Sequence, residues 1–105
     1  MQNLLVGEIT MKTQTILLEK GEATGHCIDL GKAPLLIIQA KKGYVMCGYL
    51  NMNAANKMGD IAGKVTGVKT FDDMLNSDVV EVSDNAKLAG LSQGMNVKDF
   101  LNALL

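Results

Sequence analysis

The sequence predicts an α/β fold of the α+β kind: a β-rich N-terminal region and a β-hairpin, followed by alternating strands and helices forming a mixed sheet. Three observations carry this. No helical period appears before Asn51, where β-branched and aliphatic runs dominate instead. In PLLIIQAKKGYVMCGYLN, from Pro34 to Asn51, two apolar runs flank Lys42-Gly43, the pattern of a hairpin whose glycine supplies a positive φ at the turn. Beyond Asn51, capping residues and glycine stops alternate with short apolar runs, and Val97, Phe100, Leu101, Leu104 and Leu105 repeat at i, i+3, i+4, i+7 and i+8. A chain of 105 residues is expected to form one domain, with 1–31 a β-rich assembly region and 32–105 an α/β core.

In chain order, Leu4 to Met11, Thr15 to Glu19 and Glu22 to Leu30 read as strands, with Lys20-Gly21 the turn between the second and third. Pro34 opens the next strand, where its missing N–H does least harm. Lys42 and Gly43 at the turn set Lys41 opposite Tyr44, Gln39 opposite Met46, Ile38 opposite Cys47 and Ile37 opposite Gly48. Leu36, Ile38, Ala40, Val45, Cys47 and Tyr49 then share one apolar face, and Cys47 points into a core. Asn51 or Asn53 caps a helix that Gly59 stops. Residues 61–68 follow as a strand whose small members Ala62, Gly63 and Gly67 admit a close neighbour.

Thr70 with Asp73 is a variant of the capping box, and the helix it opens carries Phe71, Met74 and Leu75 on one face. Residues 78–82 form a short strand, Ser83 caps a helix running to about Leu91, Gly90 and Gly94 break the chain, and Asn96 caps the final helix. The strands 44–50, 61–68 and 78–82 are expected to run parallel through right-handed crossovers. The first crossover is short, which leaves an antiparallel placement open for one strand.

Composition excludes several classes of function. Ten basic and eleven acidic side chains leave a formal charge of −1 and no basic stripe, and there is no Trp to add to two Phe and two Tyr as stacking surface. Neither nucleic acid nor a membrane is an expected partner. No apolar run nears the ~20 residues of a spanning helix. The start MQNLLVGE has no basic segment before its apolar residues, so a cytoplasmic chain beginning at Met1 is expected. Cys27 and Cys47 are expected to be reduced, because this aliphatic content needs no staple. Adjacent residues of a strand point to opposite faces, so His26 and Cys27 cannot share an ion, and no metal or cofactor is expected. Seven scattered methionines fill gaps in an aromatic-poor core.

Among chemical motifs, GDIAGKVTG fails as a phosphate loop: three residues rather than four separate Gly59 from Gly63, and Val65 stands where a magnesium-binding hydroxyl belongs. One constellation survives. If the strands ending at Leu50, Val68 and Val82 are parallel, their C-terminal ends gather Asn51, Asn53, Lys69, Thr70 and Ser83 beside helix N–H groups, an edge suited to a small anionic metabolite. The structural alternative is that Asn, Thr and Ser there cap their own helices. A separate reading makes the protein an enzyme with Cys47 as nucleophile, activated by Lys64, Lys69 or a residue of a neighbouring subunit. That requires an accessible thiol. No acid, base and nucleophile assemble in the sequence, so ligand binding is favoured over catalysis, and a purely structural assembly scaffold stands as a third reading.

The run PLLIIQAKKGYVMCGYLN, the following GDIAGKVTGVKTFDDML and the late AGLSQGM resemble the YunC-like family of small bacterial and archaeal proteins, classed as a domain of unknown function. The resemblance is close from about Ala33 to the C-terminus and looser before it. Its motif falls on Gly43, Tyr44, Met46, Cys47, Gly48, Tyr49 and Leu50, on Gly67, Val68, Lys69 and Thr70, and on Gly94 and Met95, none with an assigned role. The resemblance implies an α/β domain whose N-terminal strands assemble a homotetramer, and it implies no reaction.

Overall fold

The computed structural model describes residues 11–105. They form a six-stranded mixed sheet with its strands in sequence order: β1 (Met11–Leu18), β2 (Gly21–Asp29), β3 (Pro34–Gln39), β4 (Tyr44–Met46), β5 (Ala62–Lys64) and β6 (Glu81–Val82). Four short helices accompany it: α1 (Met52–Met58), α2 (Phe71–Leu75), α3 (Asp84–Leu88) and α4 (Val97–Asn102). The fold class is the expected one. No described helix is long and apolar enough to cross a membrane. The strand expected over Leu4 to Met11 lies, but for Met11, outside the described residues.

Lys12, Thr13 and Gln14, which interrupt the apolar pattern, nevertheless lie within β1. They are exposed on a strand that is at the edge among the described residues, where ladder bonds to β2 rather than burial hold the backbone. Leu18 pairs with Gly21, so Glu19-Lys20 is the turn, one residue earlier than expected.

The central hairpin requires a correction. Ile37 pairs with Met46, Ile38 with Val45 and Gln39 with Tyr44, two residues away from the pairing that a Lys42-Gly43 turn imposes. The loop is Ala40 to Gly43, and the Ala40 N–H donates to the Gly43 carbonyl at 2.8 Å. Gly43 is not needed for a positive φ. It is needed for space, because a Cβ there would overlap the carbonyl of Ile61, to which the next residue, Tyr44, donates its N–H at 3.1 Å. A shift of two preserves the faces, and Leu36, Ile38, Ala40, Val45 and Cys47 are buried together. Tyr49 leaves that face: β4 ends at Met46, and Tyr49 is exposed with its hydroxyl donating to the Ala33 carbonyl at 3.3 Å.

The direction of one strand is corrected as well. The sheet's β4 and β5 are parallel, since seven residues of α1 rise about 10 Å, enough to return the chain along three-residue strands. By contrast β6 runs antiparallel to β5. The five residues of α2 rise only about 7.5 Å, and the segment after it is clamped to the loop before α4. Val79 and Met95, Gly94 and Val79, and Val97 and Ser77 are joined by backbone hydrogen bonds of 2.8, 2.8 and 3.0 Å. Val80 then donates to the Lys64 carbonyl at 2.8 Å, so the chain re-enters the sheet at the end β5 has just left. Half of the strand expected over 78–82 is spent on this clamp.

One face of the sheet carries the main core, where Phe100, Leu101, Leu104, Met74 and Val97 pack on Ile16, Leu36, Ile38 and Val45. Gly63 is the close approach anticipated there, since a Cβ on it would lie 2.9 Å from the Phe100 ring. On the other face α1 covers only Met46 and Ala62, with Met52 and Ala55.

Candidate functional site

The edge expected to gather five residues is divided by the reversal of β6. Ser83 lies at the N-terminal end of β5, with 0% of its surface exposed. Its hydroxyl donates to the Asp60 carbonyl at 2.8 Å and accepts from the N–H groups of Ala62 and Ala86 at 3.0 and 3.2 Å. A hydroxyl has one hydrogen and two lone pairs, so this one has nothing left for a ligand. Close by, the Tyr44 hydroxyl donates to the Asp60 carboxylate at 2.6 Å. Desolvation, then that hydrogen bond and the carboxylate's charge, push the Tyr44 phenol up to about 12.

Asn51, Asn53, Lys69 and Thr70 occupy the other end. The Asn51 side chain accepts from the Asn53 N–H at 2.7 Å, and the Thr70 hydroxyl from the Asp73 N–H at 3.0 Å. The Asp73 carboxylate accepts from the Lys69 N–H, also at 3.0 Å. Asn51 and Thr70 are thus helix caps. Asn51 and Asn53 line a polar depression of 320 Å³ with Lys64 and Glu81. Lys69 lines a neighbouring pocket of 310 Å³, whose walls include Ala33, Pro34, Cys47, Gly48, Tyr49, Gly67 and Val68. The two hollows share Gly48 and Tyr49. Thr70 is exposed beside them and borders neither.

The second pocket has the more distinctive chemistry. It lies between the turn after β4 and the loop after β5, the latter held by Gly67 at φ 72°, a left-handed conformation that excludes most side chains although the space around it is open. Among the described residues, the N–H groups of Gly48, Tyr49, Gly67 and Val68 meet no acceptor. Cys47 is in its floor, only 3% exposed, and its sulfur accepts the Leu36 N–H at 3.3 Å. Cys27 and Cys47 are both free thiols. Cys27 is on β2 and Cys47 directly follows β4, two strand positions away and roughly 10 Å by strand spacing, beyond the reach of a disulfide. Among the described residues no three His, Cys, Asp or Glu side chains come together to hold a metal ion.

Sequence reasoning missed Gly48, Tyr49 and Val68 as pocket residues, and it missed the Tyr44–Asp60 pair. Gly67, expected to admit a close neighbour within a strand, lies instead in a loop with open space around it and a positive φ, so it is there for its backbone.

Residues 46–104 match the family described as Domain of unknown function (DUF1805). The chain is 29% identical over 90 residues to the uncharacterized protein YunC of Bacillus subtilis (strain 168), covering 82% of this chain and 89% of that protein. It is also similar to the crystal structure of a protein of unknown function from Thermoplasma acidophilum. That match has a TM-score of 0.87 and 44% identity, and it covers 98% of this chain and 100% of the other.

Proposed function

The chain belongs to the DUF1805 family of unknown function, and from its geometry we propose a cytoplasmic homo-oligomer that binds a small anionic metabolite at the C-terminal ends of β4 and β5. One observation carries this reading. Gly48, Tyr49, Gly67 and Val68, whose N–H groups have no acceptor among the described residues, line the same pocket as Lys69, beside the apolar Pro34 and Cys47. Backbone donors left over from the fold, a lysine and an apolar wall are what an organic anion requires. The helix ends contribute little, since α1 and α2 are short and their first N–H groups are taken by Asn51 and Thr70. Titration with inorganic phosphate, followed by amide chemical shifts, tests the site. Saturable shifts at Gly48 and Gly67 are expected, and unchanged shifts at both would reject it.

Assembly through the N-terminal strands belongs to the same proposal. Met11 and Leu17 are 70% and 76% exposed. They share the sheet face away from α2 and α4 with Ile28 and Ile37, which are partly exposed. Among the described residues β1 has a neighbour on one edge only, and a free edge beside an apolar face favours pairing with another copy. Sedimentation at micromolar concentration is expected to give a tetramer, the count implied by the resemblance; a monomer would reject the assembly.

The reading of Cys47 as a nucleophile draws on two facts, its place in the pocket lining and the Leu36 N–H aimed at its sulfur. Its burial weighs against that reading. Fast thiol labelling of Cys47 in the folded protein would revive it, and slow labelling would dismiss it.

A further inference from the structure

Next to the anion pocket lies a smaller one of 200 Å³, lined by Lys12, Cys27, Asp29, Pro34 and Lys69. Strand register builds most of it. Lys12 pairs with Cys27, Cys27 with Leu36, and Asp29 with Pro34. Alternation along the strands sets Lys12, Cys27 and Asp29 on the face of buried Ile16 and Ala23, and the loop before α2 adds Lys69. Two lysines and one aspartate therefore line the same hollow as Cys27, and the aspartate carboxylate already accepts the Gly31 N–H at 2.9 Å. Cys27 is partly exposed, and among the described residues its sulfur makes no hydrogen bond. Reactive cysteines occur in partly exposed, electropositive surroundings of this kind.

We propose that Cys27 is a site of reversible S-thiolation by small anionic disulfides. Cys27 gives its proton to water, and the thiolate attacks one sulfur of the disulfide. A new S–S bond joins Cys27 to that half, the original S–S bond breaks, and the departing sulfur leaves with the electron pair as a thiolate. The disulfide is the oxidant, and the released thiol is its reduced half. Lys12 and Lys69 draw the anionic reagent in by steering. The mixed disulfide persists, because Cys47 is buried and, about two strand spacings of ~5 Å away, cannot displace the adduct. Cys27 faces away from the apolar face proposed for assembly.

The test exposes the folded protein to oxidised glutathione, a net anion, and to cystamine, a dication, and maps adducts by peptide mass spectrometry. Each rate is divided by the rate of the same reagent with the unfolded chain. Cys27 is expected to be modified well before Cys47, with a normalised preference for the anionic reagent of about tenfold. Lys12→Glu, on an exposed strand and outside the anion pocket, is expected to abolish that preference, and Cys47→Ser to leave the adduct in place. Earlier modification of Cys47, a normalised ratio near or below one, or a ratio unchanged by Lys12→Glu would each overturn the proposal. Phosphate shifts at Gly48 and Gly67 report on the neighbouring pocket independently of all of these results.

Discussion

The two ends of the parallel pair β4–β5 use similar residues to opposite effect. At the N-terminal end the Ser83 hydroxyl is saturated by three partners, Tyr44 is tied to Asp60, Lys42 donates to the Leu104 carbonyl at 2.9 Å, and Gly43 lies against Ile61. At the C-terminal end Asn51 and Thr70 also cap helices, yet the loops beside them leave backbone donors without acceptors among the described residues. Asparagine, threonine and serine after a strand look alike in a sequence. What separates a structural cap from the neighbour of a binding site is the hydrogen-bonding capacity left over once the caps are made.

The sharpest way to break the closed end is Gly43→Ala. The added methyl overlaps the Ile61 carbonyl, which also accepts the Tyr44 N–H, so the backbone must move rather than a side chain. Urea unfolding is expected to show a loss of more than about 3 kcal/mol. Ser83→Ala comes next. It deprives the N–H groups of Ala62 and Ala86 and the Asp60 carbonyl of a partner in a region without water access, for a loss of about 2–3 kcal/mol. A loss below about 0.5 kcal/mol, the range of ordinary surface substitutions, would show that this end is not closed as described.

At both ends the local elements were legible from sequence, and the long-range ones at the closed end were not. Helix caps at Asn51, Thr70, Ser83 and Asn96, the stop at Gly59 and the buried face of the central hairpin were all readable, because each depends on residues within a few positions of one another. The hairpin register failed because Gly43 was read for its turn-forming freedom, whereas it answers to Ile61, eighteen positions later. The direction of β6 failed for the same kind of reason: residues 77–79 answer to Gly94–Val97. Placing Ser83 with Lys69 followed from that one error. The pocket itself could not be read, since a backbone N–H without an acceptor leaves no mark on side-chain identity.

A smaller effect sharpens the contrast through pH. The Tyr44 phenol lies near 12 in the folded protein against an ordinary 10, so the folded state holds this proton more tightly. Its contribution is complete below pH 10 and is lost as pH rises from 10 to 12. The ring is partly exposed and water screens the pair, so the contribution is at most about 1 kcal/mol. The difference in stability between the native protein and Tyr44→Phe, followed across that window, isolates it from other groups that titrate there. A difference that stays constant with pH would deny the Tyr44–Asp60 coupling.

At the open end the expected effect on stability is the smallest, and for that reason the most diagnostic. The Lys69 side chain is exposed, and its backbone N–H bond to Asp73 survives any substitution except proline. Lys69→Ala should therefore leave unfolding unchanged within about 0.5 kcal/mol, whereas Thr70→Ala, one position on, removes a cap and costs about 0.5–2 kcal/mol. Phosphate binding should respond in the reverse order. Lys69→Ala removes the charge from the pocket and weakens the response at Gly48 and Gly67, while Thr70→Ala, which does not border the pocket, retains it. A Lys69→Ala variant that binds phosphate as tightly as the native chain would remove the charge from the site and leave Lys69 a solvated side chain. The two ends would then differ in packing alone.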